Sequence, residues 1–597
     1  MSAELLAQAH ERGFAAGYHD INGQWQAVPE DSLAQLIKAF GPTPEQPLPE
    51  TSPQACYLPT PLAARQRRWG LSVQLYGLRS NSNWGIGDFG DLGRLVEMAA
   101  AAGAAAVQVS PLHALFSARP GHCSPYAPSS RQFLSPLHIN IDAVPELAEL
   151  PALTERIQAD AYQAELKKLR QARWLDYPVV AAKKLTILRA LYQHFRDRHL
   201  ACDSNRARDF LRYCDTAGEP LERFALFEAL DAEFVKHGIY RWQDWPLELR
   251  APDPETLAAA LESRRVEVDF HRYLQWLARS QLEAVQARAL AAGMNIGLIA
   301  DLAIGSDPTG ADVWSDPQLF AMDAEIGAPP DAFAADGQAW GLPPWRPQVL
   351  IQRAFAPLRE LLAAIMGPIG ALRLDHVIGL QRQFWVPRGR PGREGAYLAY
   401  PLEALIAEVA TASQRHRCLV IGEDLGTVPE GFRERMAKAN MLSTRVLPFE
   451  RHPSGLFKRP DTYPPLACAC AATHDLPTLA AWLADESNPN RKLLHAALVD
   501  AKLAPATWPE PERLDPDTLA GAIVAIHRYL AATPSTLVLV QLEDLLAETE
   551  PANRPGTGPE QPNWQRRYRV DLAELPRLKA WRLCAESMRD RAISGTT

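Results

Sequence analysis

Eight short apolar runs recur along the chain, at residues 71–75, 106–109, 296–300, 371–374, 419–421, 445–447, 467–472 and 537–542, and they end in polar or charged residues. Helical patterns lie between them, and this alternation is the signature of βα units and a parallel sheet. Eight parallel strands predict an α/β fold of the (β/α)8 TIM-barrel type. In such a barrel catalytic groups stand where strands end and βα loops begin, so the residues closing each run become the candidates.

The gap between the second and third runs, about 135–290, is mostly charged amphipathic helix, as at 181–195 and 224–234. It predicts a mainly helical subdomain inserted on the loop face of the barrel. Ahead of the first run, Leu33, Leu36, Ile37 and Phe40 recur at helical spacing, and a proline-rich stretch follows from 42 to 61. Residues 1–60 thus read as a short N-terminal appendage and linker, and 61–597 as the barrel with its insertion. Prolines number 50 in 597 residues, roughly 8% against a usual ~5%, which favours many well-defined loops.

The formal charge of −8 comes from 62 basic and 70 acidic residues, scattered with no run of one sign long enough for a polyanion-binding tail. Nucleic acid is therefore not expected as a partner. The start, Met1-Ser-Ala-Glu-Leu-Leu6, lacks a basic stretch followed by an apolar signal core, and no uncharged apolar run reaches the ~18 residues of a membrane span. A cytoplasmic location off the membrane is expected; oligomeric state leaves no signature. The eight cysteines form no C-x-x-C pair, and Cys468 and Cys470, separated by one residue, suit neither a zinc ribbon nor a redox pair. Buried free thiols are expected.

In Ala371-Leu-Arg-Leu-Asp-His376, strand alternation puts Arg373 and Asp375 on one face and Leu374 on the other. A guanidinium beside a carboxylate favours the ionised form that a nucleophile at an anomeric carbon requires. The same pair also fits a buried ion pair that only orders the barrel. The fifth run ends Val420-Ile-Gly-Glu-Asp-Leu-Gly-Thr-Val-Pro429. Glu423 is expected to face a pocket whose apolar walls raise its pKa toward that of a proton donor, while Asp424 points away and caps the following turn. The seventh run ends Ala472-Thr-His-Asp-Leu-Pro477, which places Asp475 at a third strand end. Three acidic groups converging from strands four, five and seven suit an oxocarbenium-like transition state. His376 and His474 are candidates for bonds to sugar hydroxyls, although an isolated histidine is more often structural.

Acids and histidines together also fit a divalent metal site. No H-x-H or H-E-x-x-H occurs among the 15 histidines, so no metal is expected. Gly85-Ile-Gly-Asp-Phe-Gly90 matches G-x-G-x-x-G, but the next strand ends Val107-Gln-Val-Ser-Pro111, without the acidic residue that holds a ribose hydroxyl. A dinucleotide is not expected either. Most aromatic rings belong in the core, and only those inside motif loops are candidate sugar platforms.

Taken in order, these segments resemble the 4-α-glucanotransferases called amylomaltases or disproportionating enzymes, glycoside hydrolase family 77, from about Trp69 to Arg567. The strings that carry the resemblance are Gln74-Leu-Tyr-Gly-Leu-Arg79, Asn83-Trp-Gly-Ile-Gly-Asp-Phe-Gly-Asp91, Ser124-Pro-Tyr126, Ala311-Asp-Val-Trp314, Arg373-Leu-Asp-His376, Gly422-Glu-Asp-Leu-Gly426 and Thr473-His-Asp475. Gln541-Leu-Glu-Asp544 and Asn553-Arg-Pro-Gly-Thr557 complete it. The resemblance implies that Asp375 is the nucleophile, Glu423 the general acid/base and Asp475 the transition-state stabiliser. It further implies sugar contacts from Tyr126, Asp301, Arg373, His376, His474 and Asn553.

The stretch 327–341 is similar to the family's loop arching over the active site, which implies glucan contacts from Phe333, Gln338 and Trp340. This chain departs from the pattern at Ala332, where family members often carry tyrosine. Its Ala300-Asp-Leu-Ala303 is similar to the longer bacterial maltodextrin enzymes. Those relatives carry a β-rich N-terminal extension, of which a helical piece with Gly17-Tyr-His-Asp20 and Gly23 stands here before the barrel. The implied reaction is a retaining transfer of part of an α-1,4-glucan donor to the 4-hydroxyl of glucose or a maltooligosaccharide acceptor, with no cofactor. The alternatives are an α-glucan hydrolase, a glucan-binding or regulatory barrel without turnover, and a metal-dependent hydrolase. Inactive relatives usually lose a catalytic carboxylate, and all three are present.

Overall fold

A computed structural model describes residues 2–20, 23–42, 54–331, 334–510, 515–558 and 560–593 of the chain. Eight parallel strands close into a barrel in sequence order: β1 (Arg68–Val73), β2 (Ala106–Val109), β3 (Gly297–Leu302), β4 (Ala371–Leu374), β5 (Leu419–Gly422), β6 (Leu442–Val446), β7 (Ala467–Cys470) and β8 (Leu537–Gln541). Two strands are displaced from their apolar runs. β1 starts at Arg68 and ends before Leu75, which sits in the 3-10 turn Leu75–Gly77. β6 begins at Leu442, because Ser443 and Thr444 interrupt its apolar character while the Thr444 hydroxyl is satisfied by donating to Gly422 O at 2.9 Å.

Alternation along the strands builds two cores. Ala106, Ile299, Ala371, Leu419, Ile421, Leu442, Leu537 and Leu539 pack inside the barrel, with Cys468 and Cys470 among them. Leu71, Leu298, Leu372, Val420 and Val538 face the surrounding helices. The two-residue spacing of the β7 cysteines is thus a strand period, placing both thiols on the inner face. All eight cysteines are free; seven are buried, and Cys202 is exposed.

Between β2 and β3 the chain forms the helices Pro151–Gln158, Asp160–Gln171, Tyr177–His194, Asn205–Val235, Pro254–Ser263 and Arg265–Ala291. The last of these packs on Asn205–Val235 and also on Phe89–Ala101, the helix that follows β1. A four-stranded antiparallel sheet, in the order Ala396–Ala399, Arg382–Pro387, Ala324–Ala328, Gln338–Ala339, flanks β4 in sequence. The N-terminal unit contains helices Ala3–Glu11 and Glu30–Phe40, with a two-stranded hairpin, Gly17–His19 against Trp25–Ala27, between them. It docks on that sheet: Phe14 packs edge-on against Phe40 and Trp385, and Tyr18 against Phe384. Among the described residues no helix is long and apolar enough to cross a membrane.

The glycine-rich segment after β1 has a packing role. Asp88 caps helix Phe89–Ala101 by accepting from Gly90 N at 2.9 Å and Asp91 N at 3.1 Å. A carboxylate therefore already fills the place a pyrophosphate would take at a dinucleotide site. At Gly87 a Cβ would lie 1.9 Å from Leu75 O, so only glycine permits this approach.

Candidate active site

The site is organised around Arg373. Its position in β4 lies in register with Asp301 of β3, so two side chains on the inner face meet directly. Arg373 Nη1 donates to Asp301 Oδ1 at 2.6 Å and to Asp375 Oδ1 at 2.9 Å. Burial works against the guanidinium charge, but Asp301 and Asp375 outweigh it and hold its pKa well above the usual arginine value. Asp301 is shifted upward, because burial exceeds the opposing pull of Arg373.

Asp375 is the first residue beyond β4, held by its own N–H on Leu302 O at 3.1 Å. The next residue, His376, takes φ 47°, a left-handed conformation costing a non-glycine residue about 1–2 kcal/mol. This turn aims the His376 N–H at Glu423 Oε2, 2.9 Å away, while Glu423 Oε1 accepts from Leu425 N at 2.7 Å. Burial lifts the Glu423 carboxyl, Arg373 pulls it down and Asp375 pushes it up; the balance leaves it at about 7. Burial likewise lowers the pKa of the His376 imidazole.

Asp424 takes a different role from the turn cap expected of it. Fully buried, it accepts from Thr444 N at 2.7 Å and from Arg433 Nε at 2.5 Å, tying β5 to β6.

Beyond β7, Asp475 Oδ2 accepts from His474 Nε2 at 3.0 Å and Oδ1 accepts from Asn553 Nδ2 at 2.7 Å. Burial pushes Asp475 upward, but the His474 charge and these two bonds hold it down at about 2. His474 Nδ1 lies 3.1 Å from Tyr126 Oη, whose proton goes to Asp301 Oδ2 at 2.8 Å. The phenol is thus the acceptor for His474 Nδ1–H, and Nε2–H faces Asp475. Both ring nitrogens donate, which fits the raised His474 pKa: burial lowers it, and Asp475 raises it further. One bonded chain therefore runs from Asp375 through Arg373, Asp301, Tyr126, His474 and Asp475 to Asn553.

Of the residues singled out from sequence, Asp375, Glu423, Asp475, Tyr126, Asp301, Arg373, His376, His474 and Asn553 meet at this end of the barrel. Trp340 reaches it edge-on to His376, ring centres 5.5 Å apart, and its Nε1–H donates to Gln338 Oε1 at 3.0 Å. Phe333, with Ala332, lies outside the described residues. Trp564 was not among the candidates, yet its buried ring backs both Tyr126 and His474, at 5.3 and 5.6 Å. The available signal was a tryptophan just past the Asn553–Thr557 string. Ser72, Gln74, Gln108, Ser110 and Thr444 line a polar cavity beneath these groups, inside the barrel. Ser72, Gln108 and Thr444 lie within strands and read in the sequence only as breaks in apolar runs, while Gln74 and Ser110 stand just beyond strand ends.

The site therefore joins a carboxyl that exchanges its proton near neutrality, a second carboxylate kept ionised, and a third in contact with a permanent cation. Such a set can protonate a leaving oxygen, attack carbon and stabilise positive charge without any group from outside the chain.

Residues 73–573 match the family model described as 4-alpha-glucanotransferase, glycoside hydrolase family 77. The 4-alpha-glucanotransferase of Haemophilus influenzae is 37% identical over 548 residues, covering 87% of this chain and 78% of the relative. That of Mycobacterium tuberculosis is 37% identical over 538 residues, covering 85% and 72%. The crystal structure of amylomaltase from Corynebacterium glutamicum superposes with a TM-score of 0.84 at 26% identity, over 98% of this chain and 100% of that one. The eight-stranded barrel is thus that of a known enzyme family, and this chain belongs to it: the 4-α-glucanotransferases of glycoside hydrolase family 77.

Proposed function

We propose that the chain transfers a segment of an α-1,4-glucan to the 4-hydroxyl of glucose or another glucan by a retaining double displacement. An Asp375 oxygen bonds to C1 of a glucosyl unit as the C1–O bond to the leaving chain breaks, and the Glu423 proton passes to that oxygen. The Glu423 carboxylate then takes the proton of an incoming 4-hydroxyl, whose oxygen bonds to C1 and releases Asp375. Asp475, kept ionised by His474 and Asn553, stabilises the positive charge that develops at the ring.

The observation that carries this reading is Glu423, buried and held at about 7 beside Asp375: a carboxyl that can both give and take a proton at working pH. Gln338 and Trp340, on the strand and loop above His376, are the proposed glucan contacts that favour a sugar hydroxyl over water. The eight free thiols support a cytoplasmic location. We also read 1–60 as appendage and linker, and 135–290 as a subdomain inserted into the barrel. Incubation with maltotriose tests the function: glucose plus a ladder of longer oligosaccharides is expected, and shortening alone would make the chain a hydrolase.

A further inference from the structure

We propose that Glu149, His194 and His199 form a divalent metal site of the zinc type on the helices between β2 and β3, apart from the barrel mouth. Among the described residues these are the three whose ligand atoms converge, all lying within 4.8 Å of one another. Helix Tyr177–His194 runs directly into a π-helical segment, Phe195–Leu200. In an α-helix, residues five apart point roughly 140° away from each other. The wider π-turn, with its i→i+5 bonds, returns them to one side, and such turns are rare and frequent at functional sites.

The two imidazoles brought together in this way converge on a single carboxylate from another segment, the end of the 3-10 stretch Pro145–Glu149. His194 Nε2 is 2.9 Å from Glu149 Oε2, and His199 Nε2 is 3.2 Å from Glu149 Oε1. Each imidazole faces its own oxygen of the one carboxylate, and the π-turn is what brings both rings to it, so three ligand groups from two segments surround one point. Zinc with nitrogen and oxygen ligands at 2.0–2.2 Å sets tetrahedral ligand atoms about 3.3 Å apart. The two nitrogen–oxygen distances, each to its own oxygen of Glu149, are near that spacing, and the three ligand atoms lie within 4.8 Å of one another, so entry requires the side chains to draw in around one point.

The surroundings fit as well. His199 Nδ1 lies 3.1 Å from Ser204 Oγ, which is fixed by accepting from Ala207 N at 3.2 Å. On metal binding the proton leaves His199 Nε2, and the Nδ1–H donates to Ser204, the outer partner that metal-bound histidines ordinarily have. Side-chain exposures of 40% for Glu149, 21% for His194 and 16% for His199 leave a fourth position open to water. The arrangement is a staple joining the start of the inserted segment to its third helix.

The test uses the full-length enzyme, stripped of metal by chelation and titrated with zinc by calorimetry, with cobalt absorption reporting geometry. One zinc per chain and a tetrahedral cobalt spectrum are expected. His194→Ala, His199→Ala and Glu149→Gln should each weaken binding by about tenfold or more, and Ser204→Ala by about tenfold. Transfer from maltotriose should be unchanged in all four, which also shows that they fold. Absence of zinc binding, or binding that these substitutions leave intact, would overturn the proposal.

Discussion

At Glu423, burial and hydrogen bonding pull in opposite directions, and the outcome sets two pH dependences of opposite practical meaning. In the proposed mechanism Glu423 must be protonated to release the leaving chain, so kcat/KM should fall as pH rises through about 7, tenfold per unit well above it. Asp475, at about 2, stays ionised throughout the working range and sets no limb there. Glu423→Gln should abolish the alkaline limb and lower kcat roughly 10²–10⁴-fold, as read from a pH–rate profile. The same shift bears on stability. A carboxyl whose folded pKa is raised from 4.5 to about 7 contributes stability below the unfolded value, and that contribution is lost as pH rises through the folded one. Glu423→Gln should therefore be more stable than the parent at pH 8, by about 1–3 kcal/mol, with the difference vanishing near pH 4. Urea denaturation at the two pH values measures it.

Among the elements, the N-terminal unit has the most specific mechanical role. Phe14 is wedged between Phe40 and Trp385, and Tyr18 Oη donates to Arg393 O at 2.9 Å, so the unit braces the sheet that ends in Gln338–Ala339. Phe14→Ala removes a buried aromatic ring, a loss of about 3–5 kcal/mol in a packed core. It should raise KM for maltotriose several-fold while leaving the alkaline limb near pH 7 in place, because Glu423 and its partners sit on the barrel itself. Steady-state kinetics across pH separates the two effects.

Element-scale features also show what the sequence makes legible. A strand of uninterrupted apolar residues, such as β5, stands out directly. β6 is displaced because Ser443 and Thr444 are polar residues inside the strand, and the bond from the Thr444 hydroxyl to Gly422 O becomes visible only once β5 lies alongside. Asp424 misleads for the same reason, since its partners Thr444 and Arg433 come from beyond its own turn. The π-turn after His194 has no marker in local propensity at all.

For the whole molecule, the barrel converts distance in sequence into contact. Tyr126, Asp301, Arg373, His474 and Asn553 span more than four hundred residues, yet share one chain of bonds. Strand ends predicted where the carboxylates gather, because every parallel strand delivers its last residue to the same face. The supporting shell, Trp564 behind Tyr126 and the polar residues beneath Arg373, depends on closure and was legible only as scattered polar or aromatic positions.

A covalent intermediate on Asp375 can be caught directly by trapping. In the Glu423→Gln enzyme, α-maltosyl fluoride should still glycosylate Asp375, because fluoride leaves with little protonic help, but no base remains to activate an acceptor. Peptide mass mapping should then find one maltosyl group on the peptide carrying Asp375. A maltosyl group on another residue, or turnover of the fluoride with inverted product and no adduct, would rule out Asp375 as the nucleophile of a retaining transfer.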